Sequence, residues 1–232
     1  MPYILHIETA TRICSVGLSH YDTLIAIKEE NNGQYSHSSS LTPFIEEVLK
    51  IAGIAIKNLD AVAVSMGPGS YTGLRIGVSS AKGLCFALDI PLIAVNTMAI
   101  LAGLAKEFIT RQDVKYYIPM IDARRMEVYS AIFDSEGQQV ASIKAEIIDS
   151  NSFNNYLEQG VVVFCGDGAM KCRDKITHHN AVFLNDMHIS AAGMPQLAYK
   201  SFTAKRFENL AYFEPFYLKD FVAGKPKVKG LE

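Results

Sequence analysis

The sequence predicts an α/β protein built as two similar lobes. Three observations carry that expectation. Three short apolar runs separated by turn residues open the chain and read as an antiparallel meander, followed by helices that alternate with strands buried on both faces. After residue 115 the chain starts again with hairpin-forming strands, then a helix and a buried strand, so the order is duplicated. Hydrophobic residues make up 49% of the 232 residues and charged residues 20%, enough apolar surface for packed cores and too little charge for wholesale disorder.

The elements follow in order. Tyr3–Ile7, Cys14–Leu18 and Leu24–Lys28 are the meander strands. Ser38–Ala52 is a helix, because Leu41, Phe44, Ile45, Val48, Leu49 and Ala52 recur at helical spacing; Pro43 sits early enough to be tolerated and Gly53 ends it. Leu59–Ser65 is mostly apolar without alternation, as a strand buried on both faces should be. A glycine-rich turn, Gly67–Ser70, leads into a second helix over Tyr71–Leu88, then a buried strand over Ile90–Val95 and a third helix over Thr97–Phe108. Charge density rises over Lys106–Lys115, which places the lobe boundary near residue 110. The expected division is a first lobe over residues 1–110, a smaller second lobe over 111–220 and a flexible tail over 221–232. The second lobe reads as strands Tyr116–Asp122, Glu127–Asp134 and Gln139–Ile143, a short helix Phe153–Gln159, a buried strand Val161–Phe164 ending in Gly166-Asp167-Gly168, and a late helix Met194–Lys205.

The most distinctive stretch runs from Ala61 to Val78, where a buried strand enters the glycine-rich turn and leaves as a helix that Ser70 is placed to cap. Free N–H groups at such a helix start bind anions. The turn lacks the Gly-Lys-Ser/Thr ending of a P-loop and is not Gly-x-Gly-x-x-Gly, so an anion cradle and a capped tight turn both fit it. Inside that helix Gly73, Gly77 and Ala81 fall every four residues and leave a stripe without side chains. Each helical glycine costs about 0.8–1 kcal/mol against alanine, so the stripe calls for close approach of another backbone, from this chain or a partner. Arg75, Ser79, Lys82 and Phe86 recur on another face, which is either an ordinary solvent face or a subunit interface.

Two turns are candidates for nucleotide contact: Glu8, Thr9 and Thr11 after the first strand, and Gly166 with Gly168 late in the second lobe. Asp122 and Glu127 flank Arg124 and Arg125, which favours a local ion-pair network over acid–base chemistry. His37 precedes the first helix, placed to cap it or to meet a partner.

Several chemistries are disfavoured. There is no Gly-x-Ser-x-Gly elbow and no His-Glu-x-x-His motif, so a peptidase is not expected. Cys14, Cys85, Cys165 and Cys172 include no Cys-x-x-Cys pair; buried thiols in a reducing cytoplasm fit better than disulfides or a zinc site built with His178 and His179. The formal net charge of −2 leaves no basic surplus for gripping RNA alone. The opening residues do not read as a signal peptide, and no apolar run reaches membrane-spanning length, so a cytoplasmic protein without membrane contact is expected.

The sequence also resembles the TsaB (YeaZ) family. The residues that carry this are Ile4-Leu5-His6-Ile7-Glu8-Thr9-Ala10-Thr11 with Cys14-Ser15-Val16, and His37-Ser38 ahead of Leu41-Thr42-Pro43. Ser65–Val78, continuing as Ala81-Lys82-Gly83-Leu84, is very similar to the family signature, and Ile121–Tyr129 and Glu214-Pro215-Phe216-Tyr217-Leu218 match its second lobe. The resemblance spans Tyr3 to Leu218, holds only in outline from Ala141 to Lys205, and shares its central motif with the related TsaD family. It implies a two-lobed actin/hexokinase-like (ASKHA) fold with duplicated ribonuclease H-like subdomains. It implies a role beside TsaD, which performs threonylcarbamoyl transfer to tRNA through a metal held by a His-x3-His motif that this chain lacks. It implies pairing with a TsaD-type protein, or with a second copy, through the first two helices. The candidate interface residues there are His37, Leu41, Ile45, Tyr71, Gly73, Arg75, Gly77, Val78, Ser79, Ala81 and Lys82. A TsaE-type ATPase joins the assembly, and tRNA is met through the complex. No tightly bound cofactor is expected, with ATP or ADP placed at the TsaD interface; Glu8 stands where many relatives carry aspartate, which weakens nucleotide binding in this chain's own lobes. The competing reading is a stand-alone ATP-dependent kinase or ATPase of the same fold.

Overall fold

The opening meander forms as expected. Strands β1 (Tyr3–Glu8), β2 (Cys14–His20) and β3 (Thr23–Glu30) pair antiparallel, and β4 (Ala61–Gly67) and β5 (Leu92–Asn96) add in parallel on the other side of β1. The sheet order is β3-β2-β1-β4-β5. In the second half β6 (Val114–Asp122), β7 (Glu127–Asp134) and β8 (Gln139–Ile147) form the meander, with β9 (Val161–Cys165) and β10 (Ala181–Phe183) parallel to β6. Its order, β8-β7-β6-β9-β10, repeats the first sheet strand for strand. This computed structural model describes residues 2–31 and 37–219. The tail expected over 221–232 lies outside the described residues.

The helices are α1 (His37–Ala52), α2 (Tyr71–Leu88), α3 (Thr97–Phe108), α4 (Asn154–Leu157) and α5 (Pro195–Thr203). Of these, α2 is the crossover between the parallel neighbours β4 and β5, which a hairpin could not join. Local chemistry sets their ends. Ser70 caps α2 by accepting from Gly73 N at 3.3 Å, and Asn96 caps α3 by accepting from Met98 N and Ala99 N. Asp89 closes α2 in the left-handed conformation.

Alternation along the strands builds three apolar layers. Leu5, Ile7, Val16, Leu18, Val62 and Val64 project from one face of the first sheet and are covered by α1 and α2. Ile4, Ala61, Ala63, Ile93 and Val95 project from the other face and share a core with α3, α5 and the facing side of the second sheet, including Tyr117, Ala131, Phe133 and Val163. A third layer, with Ile118, Met120, Val162 and Phe164, covers the far side of the second sheet. Helix α5 follows the second sheet in sequence yet packs on β1, β3 and β5 of the first, with Tyr199 edge-on to Tyr21 at 5.8 Å. The chain thereby ties the two halves together around α3 and α5.

Candidate docking face and cleft

The small-residue stripe of α2 faces inward. A Cβ on Gly73 would stand 2.1 Å from the Thr9 carbonyl oxygen, and one on Gly77 would stand 2.2 Å from Thr9 Oγ1. The missing side chains let α2 lie directly on the turn after β1, where Thr9 Oγ1 donates to the Gly73 carbonyl at 2.9 Å. Gly73, Gly77, Val78 and Ala81 are therefore buried in this chain, as is Leu41 in the core under α1. His37 is buried as well, with Nε2 2.8 Å from the Thr11 carbonyl oxygen, so it fastens α1 to the first-lobe turn. These six positions turn into this chain's own packing, and the Thr9 carbonyl and hydroxyl occupy the space that Gly73 and Gly77 open.

The glycine-rich turn is filled in the same way. Ser70 N donates to the Ala10 carbonyl at 2.6 Å, and a Cβ on Gly69 would lie 2.3 Å from that oxygen. On the other side Phe216 N donates to the Met66 carbonyl at 2.7 Å, and Gly67 lies against the Phe216 backbone. The arrangement is a capped tight turn clamped between two segments of its own chain. The second lobe repeats it: Gly168 N donates to the Met120 carbonyl at 3.0 Å, and Gly166 and Gly168 lie against the backbone of Met120, Ile121 and Asp122.

The nucleotide candidates are engaged inside the chain. Glu8 is fully buried and accepts from Ala10 N at 2.5 Å. Burial pushes its carboxyl up to about 7, against the opposing pull of the Ala10 N–H and the Ser65 hydroxyl. Its Oε2 has no hydrogen-bond partner among the described residues. Thr9 is also fully buried, and the half-buried Thr11 accepts from Ile13 N at 3.3 Å. Gly166 and Gly168 are buried in the turn just described.

A polar strip that runs from the buried His6, Ser15 and Ser19 out to the exposed Glu29 escaped the sequence reading. His6 Nε2 lies 2.8 Å from Ser19 Oγ, whose own hydrogen goes to the Tyr21 carbonyl, so Nε2 carries the imidazole proton. Burial lowers the His6 pKa to about 3. Ser15 Oγ donates to Glu29 at 3.0 Å and accepts from Ala191 N at 3.0 Å, while Ser190 Oγ donates to the same Glu29 at 2.7 Å. The signal available in the sequence was the alternation Ser15, Gly17, Ser19 along one face of β2. In the second-lobe turn, Asp122 pairs with Lys171 and Glu127 with Lys219, so the cations come from distant segments and not from Arg124 and Arg125. Among the described residues no three His, Cys, Asp or Glu side chains are grouped to hold a metal ion.

The outward surface of α1 and α2 is a different matter. Thr42, Ile45, Leu49, Ile54, Ile56 and Leu84 line an apolar groove of about 650 Å³ between the two helices. Phe86 is 83% exposed and Ile51 58% exposed on the same pair of helices. Ile45 thus contributes to the groove from a largely buried position. Of the remaining candidates, Arg75 and Ser79 are exposed and Tyr71 half-buried. Arg75 lies over the Tyr71 ring at 5.4 Å, and Tyr71 stacks on Tyr217 at 4.8 Å. Lys82 donates to the Phe213 carbonyl at 3.0 Å and holds the C-terminal segment against α2.

Two copies of one five-stranded order around a shared helical layer define a two-lobed actin/hexokinase-like protein with ribonuclease H-like subdomains. Component A of (R)-2-hydroxyglutaryl-CoA dehydratase from Acidaminococcus fermentans shares this fold with a TM-score of 0.52 at 11% identity, covering 87% of this chain and 99% of that one. YeaZ from Pseudomonas aeruginosa superposes with a TM-score of 0.81 at 26% identity, over 94% of this chain and 100% of that one. The family profile described as TsaD, tRNA N6-adenosine threonylcarbamoyltransferase, matches residues 31–229. The tRNA threonylcarbamoyladenosine biosynthesis protein TsaB of Escherichia coli K12 is 31% identical over 99% of both chains, and that of Haemophilus influenzae is 29% identical over 99% of this chain and 98% of its own. This chain belongs to the TsaB (YeaZ) family of tRNA threonylcarbamoyladenosine biosynthesis proteins. No helix among the described residues is long and apolar enough to cross a membrane.

Proposed function

We propose that this chain is a non-catalytic partner subunit that scaffolds and activates a TsaD-type threonylcarbamoyltransferase during synthesis of N6-threonylcarbamoyladenosine on tRNA. The observation that carries the reading is the apolar groove between α1 and α2, together with large apolar side chains exposed on each helix, Phe86 on α2 and Ile51 on α1. Apolar grooves and exposed aromatic or aliphatic anchors are what a protein partner buries at the centre of an interface. The same face suits a second copy of this chain when the partner is absent. A TsaE-type ATPase would join the pair. The stand-alone kinase or ATPase reading needs the polar atoms of Glu8, Thr9 and the two glycine turns for a ligand, whereas Glu8 Oε1, Thr9 Oγ1 and the Ser70 and Gly168 N–H groups serve internal bonds and Glu8 is fully buried. ATP or ADP is accordingly assigned to the junction with the partner.

The test is co-elution of this chain with a TsaD-type protein on size exclusion, followed by titration of the variants Phe86→Asp and Ile51→Asp. Loss of a buried anchor of at least about 2 kcal/mol weakens the complex roughly 30-fold or more. Ile147→Asp, at a position 74% exposed on β8, is the control and should bind as wild type. Failure of the wild-type chain to form the complex refutes the partner role. Unchanged affinity in both helix variants refutes the docking face.

A further inference from the structure

We propose that a small polar cavity between the edge of the second sheet and the α4 segment binds a free α-amino acid, with Lys144 holding its carboxylate and Glu146 its ammonium group. The cavity shares no residue with the groove between α1 and α2, so the site is independent of the partner role. It measures about 200 Å³. That is below the range of about 300–1,000 Å³ typical of drug-sized and cofactor sites, which leaves room for a small metabolite and none for a nucleotide. A distortion of the sheet makes the space. Ser130 pairs with Lys144 and Ile132 with Ala141, so a step of two residues on β7 meets a step of three on β8. The extra residue is a β-bulge, a device that re-aims side chains at the edge of a sheet. Ser130, Ile132, Ala141, Ser142 and Lys144 all line the cavity.

The cavity has a polar group where its strand calls for an apolar one. Val128, Ser130 and Ile132 share one face of β7, and Val128 and Ile132 belong to the third apolar layer. Ser130 is 2% exposed, and a buried hydroxyl needs a bond. It donates to Glu146 Oε1 and so fixes that half-buried carboxylate at the cavity. Glu146 Oε2 has no partner among the described residues. Lys144 stands two residues away on the same face of β8, roughly 7 Å along the strand. It is exposed, forms no ion pair with Glu146 and has no other side-chain partner among the described residues. The α4 segment supplies Asn151, Asn154 and Asn155, whose side-chain amides also make no bond among the described residues. Phe153 anchors this segment, with its ring against Phe164 at 5.6 Å.

A cation and a carboxylate held side by side without pairing select a ligand that carries both opposite charges. A simple anion would meet Glu146 and a simple cation would meet Lys144, each against a like charge. In an α-amino acid one Cα joins the ammonium nitrogen to the carboxylate carbon, by bonds of about 1.46 and 1.52 Å. With a charge-assisted hydrogen bond of about 2.8 Å at each end, the ligand spans roughly 8 Å, close to the spacing of Lys144 and Glu146. The asparagine amides both donate and accept, which suits a hydroxyl on the ligand's side chain. Small hydroxylated amino acids, serine and threonine, therefore fit the cavity best.

The test titrates the isotope-labelled full chain with L-threonine and with L-serine and follows backbone amide shifts by NMR. Saturable shifts at Ser130, Lys144, Glu146 and Asn155 are expected, with a Kd of about 1 mM or tighter. Two analogues of threonine isolate the charges: β-hydroxybutyrate lacks the ammonium group and isopropanolamine lacks the carboxylate. Each should bind at least about tenfold more weakly, the loss expected for one charge-assisted hydrogen bond. Lys144→Gln and Glu146→Gln should each weaken threonine binding by about tenfold or more. Lys144 is exposed, and glutamine at position 146 keeps an acceptor for the Ser130 hydroxyl, so both variants should fold with unchanged Tm. The proposal is overturned if neither amino acid gives saturable shifts at these residues, if either analogue binds as tightly as threonine, or if both folded variants bind threonine as wild type does.

Discussion

Replacing Gly77 by alanine would put a methyl group 2.2 Å from Thr9 Oγ1 and 3.4 Å from Thr9 Cβ. In an open helix the change is favourable by about 0.8–1 kcal/mol. Here the hydroxyl must rotate away and give up its 2.9 Å bond to the Gly73 carbonyl, in a site closed to solvent. Overpacking costs about 1–3 kcal/mol and the lost buried bond about 1–3 kcal/mol more, so the propensity gain is outweighed. The net expectation is a destabilisation of about 1–5 kcal/mol, or a fall in Tm of several degrees for a chain this long. In a Thr9→Ala background the clashing atom is gone and the remaining 3.4 Å contact is ordinary, so Gly77→Ala should there become neutral or stabilising by about 0.5–1 kcal/mol. Gly103→Ala in α3 meets nothing within 4 Å and should stabilise by up to about 1 kcal/mol in either background. Urea denaturation of the four members of the cycle gives the coupling directly. If Gly77→Ala costs the same with and without the Thr9 hydroxyl, the intramolecular account of the small-residue stripe is wrong.

The buried pair His6 and Glu8 predicts opposing pH dependences. Glu8 titrates near 7 when folded and in the ordinary carboxylate range when unfolded, so the unfolded state releases its proton first and stability falls as pH rises from about 4.5 to 7. His6 is held neutral down to about 3, so stability is lost as pH falls from about 6.5 towards 3. Glu8→Gln should remove the first slope, raise stability at pH 7.5 by on the order of 3 kcal/mol relative to its effect at pH 4.5, and leave the acid-side loss from His6 exposed; identical pH–Tm profiles for variant and wild type would contradict the assignment. All four cysteines are buried, and burial pushes Cys14 and Cys165 up to about 12 and Cys85 up to about 11. Iodoacetamide at pH 8 should label none of them in the native protein and all four in denaturant, as read by intact mass; rapid native labelling would show that the cores open.

Much of the fold was legible because local signals were strong and uncontested. The limits Tyr71–Leu88 and Thr97–Phe108 match α2 and α3 to the residue, since Ser70 and Asn96 sit where caps belong and the apolar spacing is regular. Strand β10, Ala181–Phe183, was missed because three half-buried residues carry no periodicity; only pairing with β9 makes them a strand. The short helix shrank from Phe153–Gln159 to Asn154–Leu157, where one turn has little propensity of its own to extend it. The candidate site was legible as a pair of helices with two unusual faces, but not as which face turns inward. Periodicity gives the angle between the glycine stripe and the Arg75–Phe86 face, and no sequence pattern gives the rotation of the helix about its axis.

The sequence by itself determined the duplicated order of strands and helices, the caps, the turns and the family, because each depends on a few neighbouring residues or on a motif read in line. Tertiary structure decided what those elements touch. It set Gly73 and Gly77 on Thr9, locked Glu8 away from solvent, returned α5 to the first sheet and left Phe86, Arg124 and Arg125 outside. Those outcomes depend on contacts between residues tens to more than a hundred positions apart, where close packing allows one arrangement and the linear pattern allows several.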